Sequence, residues 1–334
     1  MRAIQRRRNN GFIKYANKDI ADEIVVKAPV PTPGGVKMAD GIRTIKVASG
    51  LGDILWLIMK LEATGERFHW RIAADQPQRG HQIFEVLPQL AESVAYDRTF
   101  TGATVLRHNL QATPGMNSWA ALKAHQEIFL TINNWFDPGK GVKSVTPAGH
   151  INDFLPDLPT NFFPQYQTQK YAAEAEALLP KTSKYLMCYG SSYSSARYWH
   201  AWQDDQWFVF INKMRGRNPK IVPVLTGASW DTNMLDKLKA RLTGAYIPFA
   251  EIIGKPLGLV IEVMKRVNYG VYFPSGLSII AGTLGVPCTM WYPPHLESMA
   301  GKWSSPQVKN IFSETKMITP EEQANLIWSK GILE

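Results

Sequence analysis

Cysteine is scarce in this chain: Cys188 and Cys288 are the two it has, and both sit in apolar, strand-like runs. Two such thiols exclude a disulfide framework, and nothing around them resembles a metal-binding pair. Buried free thiols in a reducing, cytoplasmic setting are the expectation. No uninterrupted run of 18 or so apolar residues occurs, which argues against a membrane span. The N-terminus is basic, but no apolar stretch follows it, so it does not read as a secretory signal. No Asp-x-Asp pair is present, and neither a metal nor a bound cofactor is expected.

What remains is an ordinary globular composition, 45% hydrophobic and 19% charged, in 334 residues. That length is long for a single core and suggests two domains. The net charge of +9 is unevenly spread, because residues 1–46 carry ten Lys and Arg against four acids. Residues 1–18 hold six basic residues and no acid, including Arg6, Arg7 and Arg8 in a row. This arm reads two ways: a solubilising tail, or a phosphate-seeking segment for DNA or another polyanion, whose binding would weaken steeply with salt. A Pro-rich connector, Ala28 to Gly35, follows and is expected to be extended.

Beyond it the chain alternates. Strands are expected at Ile42–Ala48, Phe68–Ala74, Ser93–Tyr96, Tyr185–Tyr189, Ile221–Thr226, Gly270–Phe273 and Cys288–Trp291. Helices are expected from Ile54 to about Ala63, Gly80–Leu90, Gln169–Leu179, Asp205–Met214, Thr232–Leu242, from Glu251 to Val267, and from Thr319 to Lys330. Asn117–Phe136 shows apolar residues at helical spacing and a stop at Asp137-Pro-Gly. Prolines 156, 159, 164 and 180 mark a junction between the two halves. Alternating strands and helices in each half imply two doubly wound α/β domains facing a cleft.

Two turns stand out. Tyr269 to Pro294 reads as buried strand, Pro274-Ser275-Gly276 turn, short helix of small and apolar residues, Gly285-Val-Pro287 stop and second buried strand. Such unbroken apolar strands belong to parallel sheets covered on both faces. The helix start at Ser275 and Gly276 would present unpaired N–H groups and partial positive charge, a place for phosphate. Earlier, the first strand runs into Ser49-Gly50-Leu51-Gly52-Asp53. Leu55 stands where G-x-G-x-x-G needs its third glycine, so the dinucleotide fingerprint is incomplete. Asp53 reads either as a residue favoured in a first helical turn or as a functional carboxylate that the flanking glycines expose to substrate.

With Ser275-Gly276-Leu277-Ser278 and Leu284-Gly-Val-Pro287, with Gly52-Asp53, and with Arg197-x-Trp199 behind a Gly/Ser loop, the chain resembles the heptosyltransferase-like glycosyltransferases. It departs from them at Ile279, where they usually have histidine, and at His200, where they have proline. The resemblance implies the two-domain GT-B fold. It assigns Asp53 as catalytic base and places acceptor contacts at Gly50 and Gly52, with Arg107 and His108 as further candidates. It places the donor diphosphate on Ser191, Arg197, Trp199, Ser275, Gly276, Leu277 and Ser278, while Thr226, Gly227 and His295 lie at strand ends or loops able to reach the nucleotide. His125 and Glu297 are outlying candidates.

The domain layout expected is an arm and connector at 1–40, an acceptor domain at 41–165, a linker at 166–182, a nucleotide-sugar domain at 183–318 and a C-terminal helix at 319–334. The function implied is inverting, metal-independent transfer from a nucleotide-diphospho-sugar to an acceptor hydroxyl. A hydroxymethylated DNA base, extruded from its stack, and a surface saccharide such as a lipopolysaccharide core both fit as acceptors. From a different class, the chain reads as a non-catalytic nucleic-acid-binding protein on the same scaffold, with the arm as its main functional part.

Overall fold

The computed structural model of the chain describes residues 41–75, 80–110, 115–132, 151–189, 202–228, 231–273, 275–292, 305, 308–312, 318–331 and 333. The basic arm and its connector lie outside them. The first half runs β1 (Thr44–Val47), α1 (Leu51–Leu61), β2 (Phe68–Ala73), α2 (Ile83–Val86), β3 (Ala91–Asp97), α3 (Gly102–Arg107), α4 (Trp119–Leu122) and β4 (Glu127–Phe129). Its four strands are all parallel, in the order β3-β2-β1-β4.

The second half begins with α5 (Ala172–Leu178) and β5 (Lys184–Tyr189), then α6 (Asp204–Arg217), β6 (Ile221–Thr226), α7 (Thr232–Gly244), β7 (Ala250–Glu251) and α8 (Leu257–Met264). It continues with β8 (Tyr269–Tyr272), α9 (Gly276–Thr283), β9 (Cys288–Tyr292), β10 (Val308–Phe312) and α10 (Pro320–Trp328). Six parallel strands lie in the order β7-β6-β5-β8-β9-β10. Both sheets therefore start in the middle, wind one way and then reverse, at β1 in the first and β5 in the second. The crevice beyond the carboxyl ends of the strands at such a reversal is where open α/β sheets take ligands. Among the described residues no helix is long and apolar enough to cross a membrane.

Burial explains the pattern. In α1 every residue from Ile54 to Leu61 is buried, so this helix is a core element rather than an amphipathic cover. Lys60 is among them, 1% exposed, with Nζ donating to the carbonyls of Leu158 (2.8 Å) and Leu155 (3.4 Å). Burial lowers its pKa to about 8, against the pull of Asp157 and Asp153. Leu155 itself is fully buried and adopts a left-handed φ of 46°, a conformation that leucine holds only where packing over-determines it. In the second half Trp202, Trp207, Phe210, Phe273 and Trp291 make one aromatic cluster, with ring centroids 4.7 Å apart for Trp202 and Trp291.

The chain crosses between the halves from Ile151 to Tyr171. On the way Asn161 N donates to Met59 O (2.8 Å) and Gln167 N to Val86 O (2.8 Å), both in the first half. The Tyr166 hydroxyl reaches Thr283 Oγ1 in α9 at 2.7 Å. From Thr168 onward the partners belong to the second half: its hydroxyl donates to Glu262 and accepts from Lys265 Nζ at 2.8 Å. The last helix, α10, packs on α6, where Arg217 donates to Asn325 Oδ1 at 3.0 Å.

Several expectations need correction. The helical spacing over Asn117–Phe136 yields a one-turn helix, α4, followed by strand β4, the residues from 133 lying outside the described ones. Asp157 holds that single turn, its carboxylate accepting from Trp119 N and Ala120 N. Gly80–Leu90 is not one helix: Pro88 removes a donor, and the segment divides into 3-10 turns on either side of α2. The helix expected from Glu251 begins only at Leu257, after Pro256, and Ala250–Glu251 instead forms the edge strand β7. Strand β10 was not expected at all; its mixed polarity, Val-Lys-Asn-Ile-Phe, gives no strand period.

Candidate active site at two converging helix starts

At each reversal one flanking strand, β1 in the first sheet and β8 beside β5 in the second, runs into a glycine-containing turn that feeds a helix. At the first, β1 ends at Val47 and α1 starts after Gly50, an extended N-cap at φ −66° and ψ 120°. Asp53, half-buried, stands in the first turn of α1. At the second, β8 ends at Tyr272 and α9 starts after Ser275, whose hydroxyl accepts from Ser278 N at 3.4 Å while Ser275 N donates to Ser278 Oγ at 3.2 Å. This reciprocal cap fixes the turn and leaves the N–H groups of Gly276 and Leu277 at the helix start without intrahelical partners.

The two turns meet. A Cβ placed on Gly276 would lie 2.7 Å from Leu51 Cγ and 2.9 Å from the backbone nitrogen of Gly52. One placed on Gly52 would lie 3.0 Å from Ile279 Cδ1 and 3.4 Å from both Cα and N of Gly276. The positive ends of α1 and α9 are thus brought backbone to backbone, with Asp53 one residue from the contact. Two partial positive charges at close range favour an anion beside them. A side chain larger than hydrogen at 276 would hold the ends apart, which is the physical reason for glycine there; at 52 the closest obstacle is the end of the Ile279 side chain.

The remaining expected residues are distributed unevenly. Gly50, Gly52, Asp53, Ser275, Gly276 and Leu277 converge. Ser278 lies behind the turn, fully buried, its hydroxyl 2.7 Å from Ser275 O and 3.1 Å from Met290 Sδ, so its side chain shapes the cradle rather than lining it. Thr226 and Gly227 are at the carboxyl end of β6, but both are buried, and Gly227 O is engaged by Gly254 N at 3.1 Å. Arg107 and His108 are exposed at the far end of α3; it is Gly102, at the near end, that lies beside Ala48. The His108 ring packs against Phe129 at 5.6 Å. His125 is exposed in the turn between α4 and β4. Ser191, Arg197, Trp199, His200, His295 and Glu297 lie outside the described residues. Among the described residues no group of three His, Cys, Asp or Glu is placed to hold a metal ion.

One participant was not expected from the sequence. Gly80, at the start of the 3-10 turn before α2, is buried, and a Cβ on it would lie 2.6 Å from Ser49 O and 2.6 Å from Ile54 Cδ1. It packs on the entry to the β1–α1 turn, at Ser49, as Gly276 packs on Leu51 and Gly52.

No family model matches the chain, and no curated protein matches it. Solved structures do. A glycosyl transferase family 9 protein from Veillonella parvula DSM 2008 superposes with a TM-score of 0.55 at 16% identity, over 90% of this chain and 94% of that one. E. coli ADP-heptose lps heptosyltransferase II gives 0.56 at 12% identity, over 86% of this chain and 98% of the other. E. coli heptosyltransferase WaaC with ADP gives 0.53 at 15% identity, over 86% and 99%. At these identities the likeness is one of fold, and the fold is the two-domain GT-B architecture.

Proposed function

We propose that the protein is a glycosyltransferase that moves a sugar from a nucleotide-diphospho-sugar to an acceptor hydroxyl. The observation that carries this reading is the backbone contact between Gly52 and Gly276, which brings the helix start that bears Asp53 against the helix start at Ser275. The fold shared with two heptosyltransferases and a family 9 glycosyl transferase supports it.

In this reading the start of α9 holds the diphosphate through the N–H groups of Gly276 and Leu277, and Arg197 adds a forked contact. Asp53 accepts the proton of the acceptor hydroxyl as its oxygen bonds to the anomeric carbon. The bond from that carbon to the diphosphate oxygen breaks, and the electron pair leaves with the diphosphate. Entry from the face opposite the leaving group inverts the anomeric centre. Fixed donors aimed at the departing charge contribute about 3 kcal/mol of barrier lowering each, which is how such a site neutralises the leaving group without a metal ion. For the acceptor, the six cations of residues 1–18 favour a polyanion, with a hydroxymethylated DNA base and an anionic surface saccharide as the two candidates.

The test is binding and turnover together. Nucleoside diphosphates should raise the melting temperature of the wild-type chain. Asp53→Asn should keep that shift while losing transfer. No shift with any nucleoside diphosphate or nucleotide sugar would remove this reading.

A further inference from the structure

We infer that Gly80 is a positioning residue for Asp53, an inference that rests on the glycosyltransfer reading above. The β1–α1 turn takes two close backbone approaches. Gly276 meets Leu51 and Gly52 across the halves, and within the first half Gly80 lies against the carbonyl of Ser49. Ser49 is itself buried, 2% exposed. Ile54, the residue after Asp53, is fully buried and forms the second wall of the Gly80 contact.

The two walls differ in kind. Ile54 Cδ1 is the end of a flexible side chain and can turn aside. Ser49 O is backbone, and moving it tilts the peptide that leads into Gly50, the N-cap whose carbonyl accepts from Ile54 N at 3.0 Å. A methyl group at position 80 therefore displaces Ser49 O, and with it the first turn of α1, Asp53 included. Gly276 packs against the same turn, so the shift is taken up by tilting, and Asp53 moves relative to the donor cradle. The capping box that shapes the cradle, Ser275 with Ser278, lies wholly in the second half and stays intact.

The experiment compares Gly80→Ala, Ile54→Val and the double variant Gly80→Ala/Ile54→Val. Valine lacks Cδ1, so the double variant relieves the side-chain wall and keeps the backbone one. A misplacement of an ångström or so lowers kcat by roughly 100-fold. Gly80→Ala and the double variant are expected to lose about that much kcat while their donor KM and their melting shift with nucleoside diphosphate stay within about twofold of wild type. Ile54→Val alone is expected to retain its kcat. Recovery of kcat in the double variant would assign the effect to crowding of Ile54 and overturn the inference. Loss of nucleoside diphosphate binding in a folded double variant would overturn it too. A wild-type chain that transfers no sugar removes the functional reading itself, a result distinct from an active wild type beside an equally active double variant.

Discussion

Tyr166 gives its hydroxyl hydrogen to Thr283 across the junction of the two halves, at 2.7 Å, with both side chains buried. The direction follows from the other bond Thr283 makes, in which its own hydrogen goes to Ile280 O at 2.8 Å. Tyr166→Phe therefore removes one donor and leaves Thr283 otherwise engaged. The loss of stability is expected to be about 1 kcal/mol, read from chemical denaturation. Because Tyr166 ties the crossing segment to α9, the nucleoside diphosphate affinity should fall in the same variant.

The two glycines of the site are not equivalent. At Gly276 a methyl group meets Leu51 Cβ and the Gly52 nitrogen at 2.9 Å, and the backbone atom cannot yield. At Gly52 its nearest neighbour is the end of the Ile279 side chain at 3.0 Å, which can rotate. Gly276→Ala is expected to destabilise by about 1–3 kcal/mol and to abolish transfer, whereas Gly52→Ala should fold nearly as wild type and retain a fraction of the activity. Equal losses in the two variants, by calorimetry and by turnover, would contradict the packing described.

Lys60 makes stability depend on pH in the alkaline range. Burial lowers its folded pKa to about 8 from an unfolded value of 10.5. Between those values the unfolded chain binds more protons than the folded one, so folding is favoured as pH rises. Below pH 8 the lysine is charged in both states and its desolvation opposes folding in full. In Lys60→Met this dependence is absent. The melting temperature of wild type minus that of Lys60→Met should therefore rise from pH 7.5 to pH 10, and a flat difference would show that Lys60 is not desolvated.

Cys188 and Cys288 should be inert in the folded protein. Burial raises both thiols, Cys288 to about 12, so neither forms thiolate near neutral pH. They lie on β5 and β9 with β8 between them, about 10 Å apart at the usual strand spacing. That is beyond the reach of a disulfide. A polar thiol reagent is expected to modify neither residue in buffer and both in denaturant.

The fold was largely legible because parallel strands between helices read as unbroken apolar runs. Tyr185–Tyr189 and Ile221–Thr226 show this, differing from the observed strands by at most a residue. The edges were not. Two ladder pairs to β6 suffice to hold β7, too short for any period, and the Lys-Asn pair hides β10. Of the site, the turns at Gly50–Asp53 and Ser275–Gly276 were legible because small residues after a strand announce a close approach. Gly80 carried no such sign, since what it approaches is 31 residues away in sequence, at Ser49. Ser278 is placed at the donor diphosphate by the family resemblance; its hydroxyl is taken up in the local capping bonds to Ser275.

The all-round burial of α1 has a consequence for how the chain comes to be folded. Its helix start is covered by α9, whose Gly276 follows Gly52 by more than two hundred residues. While the polypeptide emerges from the ribosome, the first four strands can pair, yet the seam that α9 later occupies stays bare and sticky. A fragment ending near residue 165 would carry that seam permanently, so it should associate with itself or with chaperones, and dissolve as a monomer only when the missing half is supplied in trans.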